Sequence, residues 1–285
     1  MPGTLYLCAT PIGNLEDITL RVLRTLKEAD LIAAEDTRTS GHLLSHFNIE
    51  TPLISYHKFN EKERGPELVD RLLAGESIAL VTDAGTPAIS DPGESLVRLC
   101  LEAGVPVTSL PGACAAIVGL TLSGFSARSF AYEGFLPQDK KEQQTVLERL
   151  SKETRTVIFY EAPHRLLRTL RILAETVGGR RKICLCRELT KRFEEALHMT
   201  IDGAIGYFSE KEPRGEFVLI LEGLSDEELL REKADSFRDL SIADHVAAYE
   251  AKGLPRKEAM KAVAKDRGLS RRDVYQALLG GDSTD

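Results

Sequence analysis

The stretch "VTDAGTPAISDPG", Val81–Gly93, follows the apolar run "SIALV" and leads into "ESLVRLCLEAG", whose apolar residues recur at helical spacing. A short β-rich run that ends in a restricted loop and opens a helix is one strand–helix step of an α/β protein. The loop itself carries two Asp, two Gly and two Pro. Gly lets a ligand approach the backbone, and Pro holds the loop open.

The same pattern runs outward in both directions. Strands are expected at 4–9, 31–35, 52–56, 77–83 and 106–110, with helices near 17–29, 39–47, 61–75 and 93–103. Asp17 is the expected N-cap of the first helix, because Ile18, Val22, Leu23 and Leu26 form one apolar stripe. Strands separated by helices argue for a largely parallel sheet. After "GFSARS" (124–129) the pattern restarts, with strands expected at 130–135, 156–162, 182–189 and 216–223 and helices at 141–152 and 163–177. The expectation is two α/β domains, 1–118 and 119–225, with a cleft between them, followed by a helical extension over 226–285.

That extension has its own punctuation. "IADHVAAYEAKGL" is a helix ending near Gly253. "PRKEAMKAVAKDRGL" starts at Pro255 and ends at Gly268, and "SRRDVYQALLG" opens on Ser270. Helix, turn, helix, Gly turn and capped helix resembles a helix-turn-helix. From Lys252 to Tyr275 there are eight Lys or Arg against three Asp or Glu, in a chain whose net charge is −7. A local basic patch on an acidic protein suits a specific contact with nucleic acid, although a solvated helix face has the same composition.

Composition narrows the class. At 285 residues with 42% hydrophobic and 28% charged residues the chain reads as soluble and globular. No run reaches a membrane-span length. Five Cys, mostly within apolar runs, read as reduced core thiols of a cytosolic protein. Cys184 and Cys186 lack zinc-ligand spacing, and His42 and His46 lack the Glu of a zincin, so no metal site is expected.

Four strand ends share the small-residue loop: "CATPIGN" (8–14), Val81–Gly93, "LPGACAA" (110–116) and "YEAPHR" (160–165). Ligands in such sheets bind beyond the carboxyl ends of strands. Neither a dinucleotide G-x-G-x-x-G nor a P-loop is present, so the ligand is one held mainly through backbone groups rather than in a phosphate cradle.

These segments, with "TLYLCATPIGNLEDITLRVLRTLKEADLIAAEDTR" (4–38) and "LPGACAAIVGLTLSG" (110–124), resemble the tetrapyrrole-methylase superfamily of S-adenosylmethionine-dependent methyltransferases. Within it they resemble the branch that methylates a ribose 2′-hydroxyl of small-subunit ribosomal RNA. The resemblance implies a homodimer with S-adenosylmethionine in the cleft. It implies cofactor contacts from Asp83, Ala84, Gly85, Thr86, Pro87 and Asp91, with Ser90 and Gly93 shaping the loop. Pro111, Gly112, Ala113 and Ala115 would form the facing wall, Pro11 and Gly13 the floor, and Phe159, Glu161 and Ala162 the adenosine flank. The strand after Gly215 would close the far side. A Gly-Asp-Pro common in the superfamily is replaced here by "DAGTP", which sets the branch apart from porphyrin methylases.

A ribose hydroxyl is a weak acid, so methyl transfer to it gains from a positioned base. Glu35, Asp36, Glu161 and Glu188 are the acidic candidates. Arg38, His164, Arg165, Arg187 and Lys191 are candidates to hold the substrate RNA near the site, and Arg256, Lys257, Lys261, Lys265, Arg271 and Arg272 to hold it from the extension. The modified nucleotide implied by the resemblance is a cytidine near the decoding site, within an assembled small subunit. Competing readings are a tetrapyrrole C-methylase and a non-catalytic ribosome-assembly factor.

Overall fold

The computed structural model describes residues 1–225, 237 and 240–280. The spacing read as helical over 224–235 lies, from residue 226 on, outside the described residues.

The first half is built on five strands: β1 (Leu5–Cys8), β2 (Leu31–Ala34), β3 (Leu53–Ser55), β4 (Ile78–Val81) and β5 (Val107–Leu110). They form one sheet in the order β3-β2-β4-β1-β5, and every pair is parallel. Helices α1 (Leu20–Glu28), α2 (Thr37–His46), α3 (Glu61–Leu73) and α4 (Glu94–Glu102) connect them. The sheet is buried on both faces, which explains the continuous apolar runs of its central strands. Alternation divides those runs. Leu31, Ala33, Ile78 and Leu80 pack with Leu68 and Leu72 of α3 and Leu96 of α4. Ile32, Ala34, Ala79 and Val81 pack with Val22 and Leu26 of α1 and Leu44 of α2.

The connection leaving β1 therefore crosses one face and the connection leaving β4 crosses the other. The two strands are neighbours, so a crevice opens at their carboxyl ends. Thr10 and Gly85 close its base by exchanging backbone N–H···O bonds of 2.9 and 3.1 Å. Thr19 is the N-cap of α1, its hydroxyl accepting from Val22 N at 3.1 Å; Asp17, the expected cap, lies in a preceding 3₁₀ turn, Leu15–Asp17, capped by Asn14.

Helix α5 (Ala115–Ser123) leads to the second sheet, whose strands are β6 (Phe130–Phe135), β7 (Thr156–Glu161), β8 (Lys182–Arg187), β9 (Glu195–Thr200) and β10 (Phe217–Leu221). Their order is β6-β7-β10-β8-β9. Only β6 and β7 are parallel, and the other three pairs are antiparallel. The parallel arrangement read from the sequence thus holds for the first sheet, while the second is mixed. Helices α6 (Lys140–Leu150), α7 (Leu166–Val177) and α8 (Ile201–Glu210) accompany it. One face is covered by α5, where Ala116 and Leu120 meet Ile158, Cys184, Cys186, Val218 and Ile220.

Both sheets belong to one compact unit, Met1–Glu148 with Thr156–Glu222; Arg149–Arg155 and Gly223–Asp285 form a second. In the second, α9 (Ile242–Ala251), α10 (Arg256–Asp266) and α11 (Arg271–Gly280) enclose Val246, Ala259, Val263, Ala264 and Val274. His245 is buried there between the rings of Phe237 and Tyr249, and Arg267 Nε donates to its Nδ1 at 3.2 Å. Pro255 immediately precedes α10, and Ser270 Oγ accepts from Asp273 N at 3.1 Å as a cap. Among the described residues no helix is long and apolar enough to cross a membrane.

Candidate active site

Beyond the carboxyl ends of β1, β2 and β4 lies a cavity of about 310 Å³ within the first unit. Glu35, the residue after β2, lines it. The loop after β4 contributes Asp83, Ala84, Gly85, Thr86, Ile89, Ser90 and Asp91, and the loop after β1 contributes Ile12. From the second sheet come Phe135, the Tyr160–Ala162 end of β7, the turn Glu188, Leu189 and Lys191 after β8, and Glu216, Phe217 and Val218. Because β10 runs antiparallel to β7 and β8, its start lies beside their ends.

The loop after β4 is held in a costly shape. Gly85 has φ of +87°, and two residues with side chains, Ala88 and Ser90, also sit at positive φ, 67° and 66°. Such conformations persist only where surrounding contacts over-determine them. The contacts are present: Thr86 Oγ1 donates to Ala113 O at 2.9 Å, and Ser90 Oγ and Tyr132 Oη share a 2.6 Å hydrogen bond. Across the cavity Glu188 and Thr190 are also at positive φ, 51° and 66°. Both rims thus carry strained backbone, a feature that clusters at functional sites.

The lining is strongly acidic. Burial and the neighbouring carboxylates of Glu35, Asp83 and Glu216 push Asp91 up to about 7. Burial and Asp83 raise Glu35, and burial raises Asp83, although Asp36 N–H donates to Asp83 Oδ1 at 3.2 Å. Among the described residues Lys191 is the one cation on the lining, and it is paired with Glu188 at 3.0 Å.

The remaining acidic candidates occupy other positions. Asp36 caps α2, accepting from Arg38 N at 2.8 Å, and its carboxylate grips the Arg38 guanidinium, which holds it down to about 2. Neither Asp36 nor Arg38 lines the cavity. Glu161 does, but its side chain is fully buried and fully engaged. Thr169 Oγ1 donates to it at 2.5 Å, Ala162 N at 2.9 Å, and Arg165 Nε lies 3.3 Å away.

The other expected positions divide as follows. Ala115 and Ala162 line the cavity, while Pro11, Pro87, Pro111, Gly112 and Ala113 do not; from the same loops after β1 and β5 it is Ile12 and Cys114 that line it. A Cβ on Gly112 would meet the Ala9 Cβ at 2.5 Å, so this glycine is spent on close backbone packing. Phe159 is a correction: strand alternation turns it to the opposite face of the sheet, where it is buried, and its neighbour Tyr160 lines the cavity in its place, alongside Phe135 and Phe217. Arg165 reaches Leu136 O at 2.6 Å, Arg187 pairs with Glu195 at 2.6 Å, and His164 is exposed; none of the three lines the cavity. In the second unit Arg256, Lys257, Lys261, Lys265, Arg271 and Arg272 are all exposed. Ile12, Ile89, Cys114, Phe135, Tyr160 and Leu189 line the cavity without having been singled out from the sequence, although Ile12, Ile89, Cys114 and Tyr160 lie inside the quoted segments; Glu216, Phe217 and Val218 fall on the strand after Gly215 expected to close the far side.

A family model described as Tetrapyrrole (Corrin/Porphyrin) Methylases matches residues 4–204. Curated relatives named "Ribosomal RNA small subunit methyltransferase I" extend the match. The one from Halalkalibacterium halodurans is 49% identical over 96% of this chain and 93% of its own length. That from Synechocystis is 48% identical over 97% and 98%. The chain belongs to this family of methylases. A solved uroporphyrin-III C-methyl transferase from Thermus thermophilus, complexed with S-adenyl homocysteine, shares the fold, with a TM-score of 0.56 at 20% identity over 77% of this chain and 97% of that one. The likeness to the curated relatives continues past residue 204, through the basic three-helix unit that the family model leaves out.

Proposed function

We propose that the protein is an S-adenosylmethionine-dependent methyltransferase of small-subunit ribosomal RNA, and that its acceptor is a ribose 2′-hydroxyl, in a cytidine near the decoding site. The observation that carries the reading is the near-full-length identity to relatives of that name, which includes the basic helical unit. On this reading residues 1–118 and 119–225 act as the two halves of the cofactor cleft, and 226–285 as an RNA-binding extension of a cytoplasmic homodimer working on the assembled subunit.

The cavity fits the cofactor. A sulfonium and an ammonium are cations, and Glu35, Asp83, Asp91 and Glu216 offer carboxylates to them; Ile12, Ile89, Phe217 and Val218 offer apolar surface to an adenine. When bound, S-adenosylmethionine supplies an activated methyl group. What the protein must add is alignment, exclusion of water and removal of a proton.

Glu35 is the base in this account. Its position at the end of β2 faces the cavity, and its raised proton affinity suits proton abstraction near neutral pH better than that of Asp36, which Arg38 holds ionised. With S-adenosylmethionine bound as methyl donor, Glu35 would accept the 2′-hydroxyl proton released as the ribose oxygen is methylated. Glu161 is a positioning residue: it orients Arg165 and the Ala162 backbone at the end of β7. Glu188 holds Lys191, whose ammonium stands at the rim where an RNA phosphate would lie. A rise in melting temperature with S-adenosylmethionine, together with labelled methyl transfer to small subunits, tests the reading. An assembly factor without catalysis transfers no label, and a porphyrin methylase labels a tetrapyrrole instead.

A further inference from the structure

Two phenylalanines stand almost free in solvent, Phe59 at 95% and Phe193 at 71% exposure. Each lies on a loop at the cavity's own end of its sheet. Phe59 follows β3, which pairs with β2 through Ser55 and Ala34; the residue after Ala34 is the cavity's Glu35. His57 on the same loop acts electrostatically on Glu35, and its ring meets Phe59 edge-on at 6.1 Å. Asn60 fixes the loop, its Oδ1 accepting from His57 N at 2.8 Å. Phe193 lies two residues beyond Lys191, in a turn closed by Glu194 N donating to Lys191 O at 3.1 Å and Thr190 N donating to the Glu194 carboxylate at 2.7 Å.

Each phenylalanine follows a basic residue in the chain. The Arg192 guanidinium lies 5.5 Å from the Phe193 ring centre, and exposed Lys58 adjoins Phe59. An exposed Phe contributes nothing to a core, and two of them on fixed loops, each preceded by a basic residue, have the composition of a single-stranded RNA platform. Bases stack on such rings while phosphates meet the cations.

We propose that Phe59 and Phe193 are stacking residues for unpaired bases flanking the target ribose, one on each side of the cavity mouth. This rests on the ribose-methylation reading above and adds to it how the acceptor strand is gripped. Neither ring touches the reacting atoms, so their effect is on substrate affinity.

The test compares Phe59→Ala, Phe193→Ala and the double variant with Phe59→Tyr and Phe193→Tyr, using unmodified small ribosomal subunits as substrate. Each alanine variant is expected to raise KM on the order of tenfold, with the double variant raising it further. The kcat at saturating subunits stays within about twofold, and the melting shift with S-adenosylmethionine is unchanged. The tyrosine variants, which keep the π-face, restore KM. Unchanged KM in the double variant, alongside a wild type that methylates subunits, overturns the stacking proposal alone. A fall in kcat or in cofactor binding that tyrosine does not rescue also overturns it. A wild type that methylates no ribosomal RNA overturns both readings.

Discussion

Thr169 Oγ1 donates to Glu161 Oε2 at 2.5 Å, while Ala162 N donates to Oε1 at 2.9 Å and Arg165 Nε lies 3.3 Å from it, so both oxygens of this buried carboxylate are held. This separates two acids that the sequence left equivalent. Glu161→Ala strands a hydroxyl and a guanidinium, and is expected to cost about 3 kcal/mol, a drop on the order of 8 °C in melting temperature. Glu35→Gln leaves no buried partner unpaired and relieves its repulsion with Asp83. Its melting temperature should hold or rise while kcat falls by about a hundredfold or more. Thermal melts and single-turnover methyl transfer on the two variants check both halves. Intact turnover in Glu35→Gln removes it as the base.

The acidic lining predicts the sign of a pH effect. Burial and the carboxylates of Glu35, Asp83 and Glu216 push Asp91 up to about 7 from the ordinary aspartate value of about 3.9. Between those two values the folded protein holds a proton that the unfolded chain has released, so stability falls as pH rises through this window. Asp91→Asn should therefore melt like wild type below about pH 4 and progressively higher than wild type towards pH 8 in the absence of cofactor. A constant offset across the range would place the effect elsewhere.

Gly85 and Gly112 predict different outcomes for one methyl group. Gly112→Ala drives a Cβ against that of Ala9, and overpacking of this kind costs about 1–3 kcal/mol. Gly85→Ala meets the Ile12 side chain at 3.3 Å and Ala113 O at an ordinary 3.6 Å, but must hold φ at +87°. It is expected to lower affinity for S-adenosylmethionine, because the loop that lines the cavity relaxes. Equilibrium binding and melts on the pair distinguish the cases; normal affinity in Gly85→Ala would mean that the loop's shape is unimportant to the ligand.

For the extension, Arg271→Ala with Arg272→Ala is expected to weaken binding to small subunits and to lower the slope of log K against log salt by about 1.4, for two phosphate contacts at roughly 0.7 each. Cofactor binding should not change. An unaltered slope assigns these exposed arginines to solvent.

Most of the first sheet was legible because a strand buried on both faces must be written as an apolar run and must end in a turn. "SIALVTDAGTP" does both within eleven residues. Helix α5 was not legible: "AAIVGLTLS" is apolar on all sides, so no stripe marks it, and it read as a boundary. Strand β9 and helix α8 escaped for the opposite reason, since "EALHMT" alternates weakly and "IDGAIGYFSE" contains two glycines. Among site residues, Glu35 and the loop Asp83–Asp91 could be found from strand ends. The commitment of Asp36 to Arg38 and of Glu161 to Thr169 could not, because a carboxylate at a strand end looks the same in sequence whether it faces a cavity or caps a helix. Phe159 and Tyr160 differ only by the phase of the strand, which one sequence does not set.

The most direct measurement is alkaline hydrolysis of small-subunit ribosomal RNA carrying labelled methyl groups transferred by the protein. Alkali cleaves through the free 2′-hydroxyl. Label recovered in an alkali-resistant dinucleotide, with 2′-O-methylcytidine after enzymatic digestion, is the result predicted. Label recovered in mononucleotides bearing a methylated base, or no label at all, would contradict it.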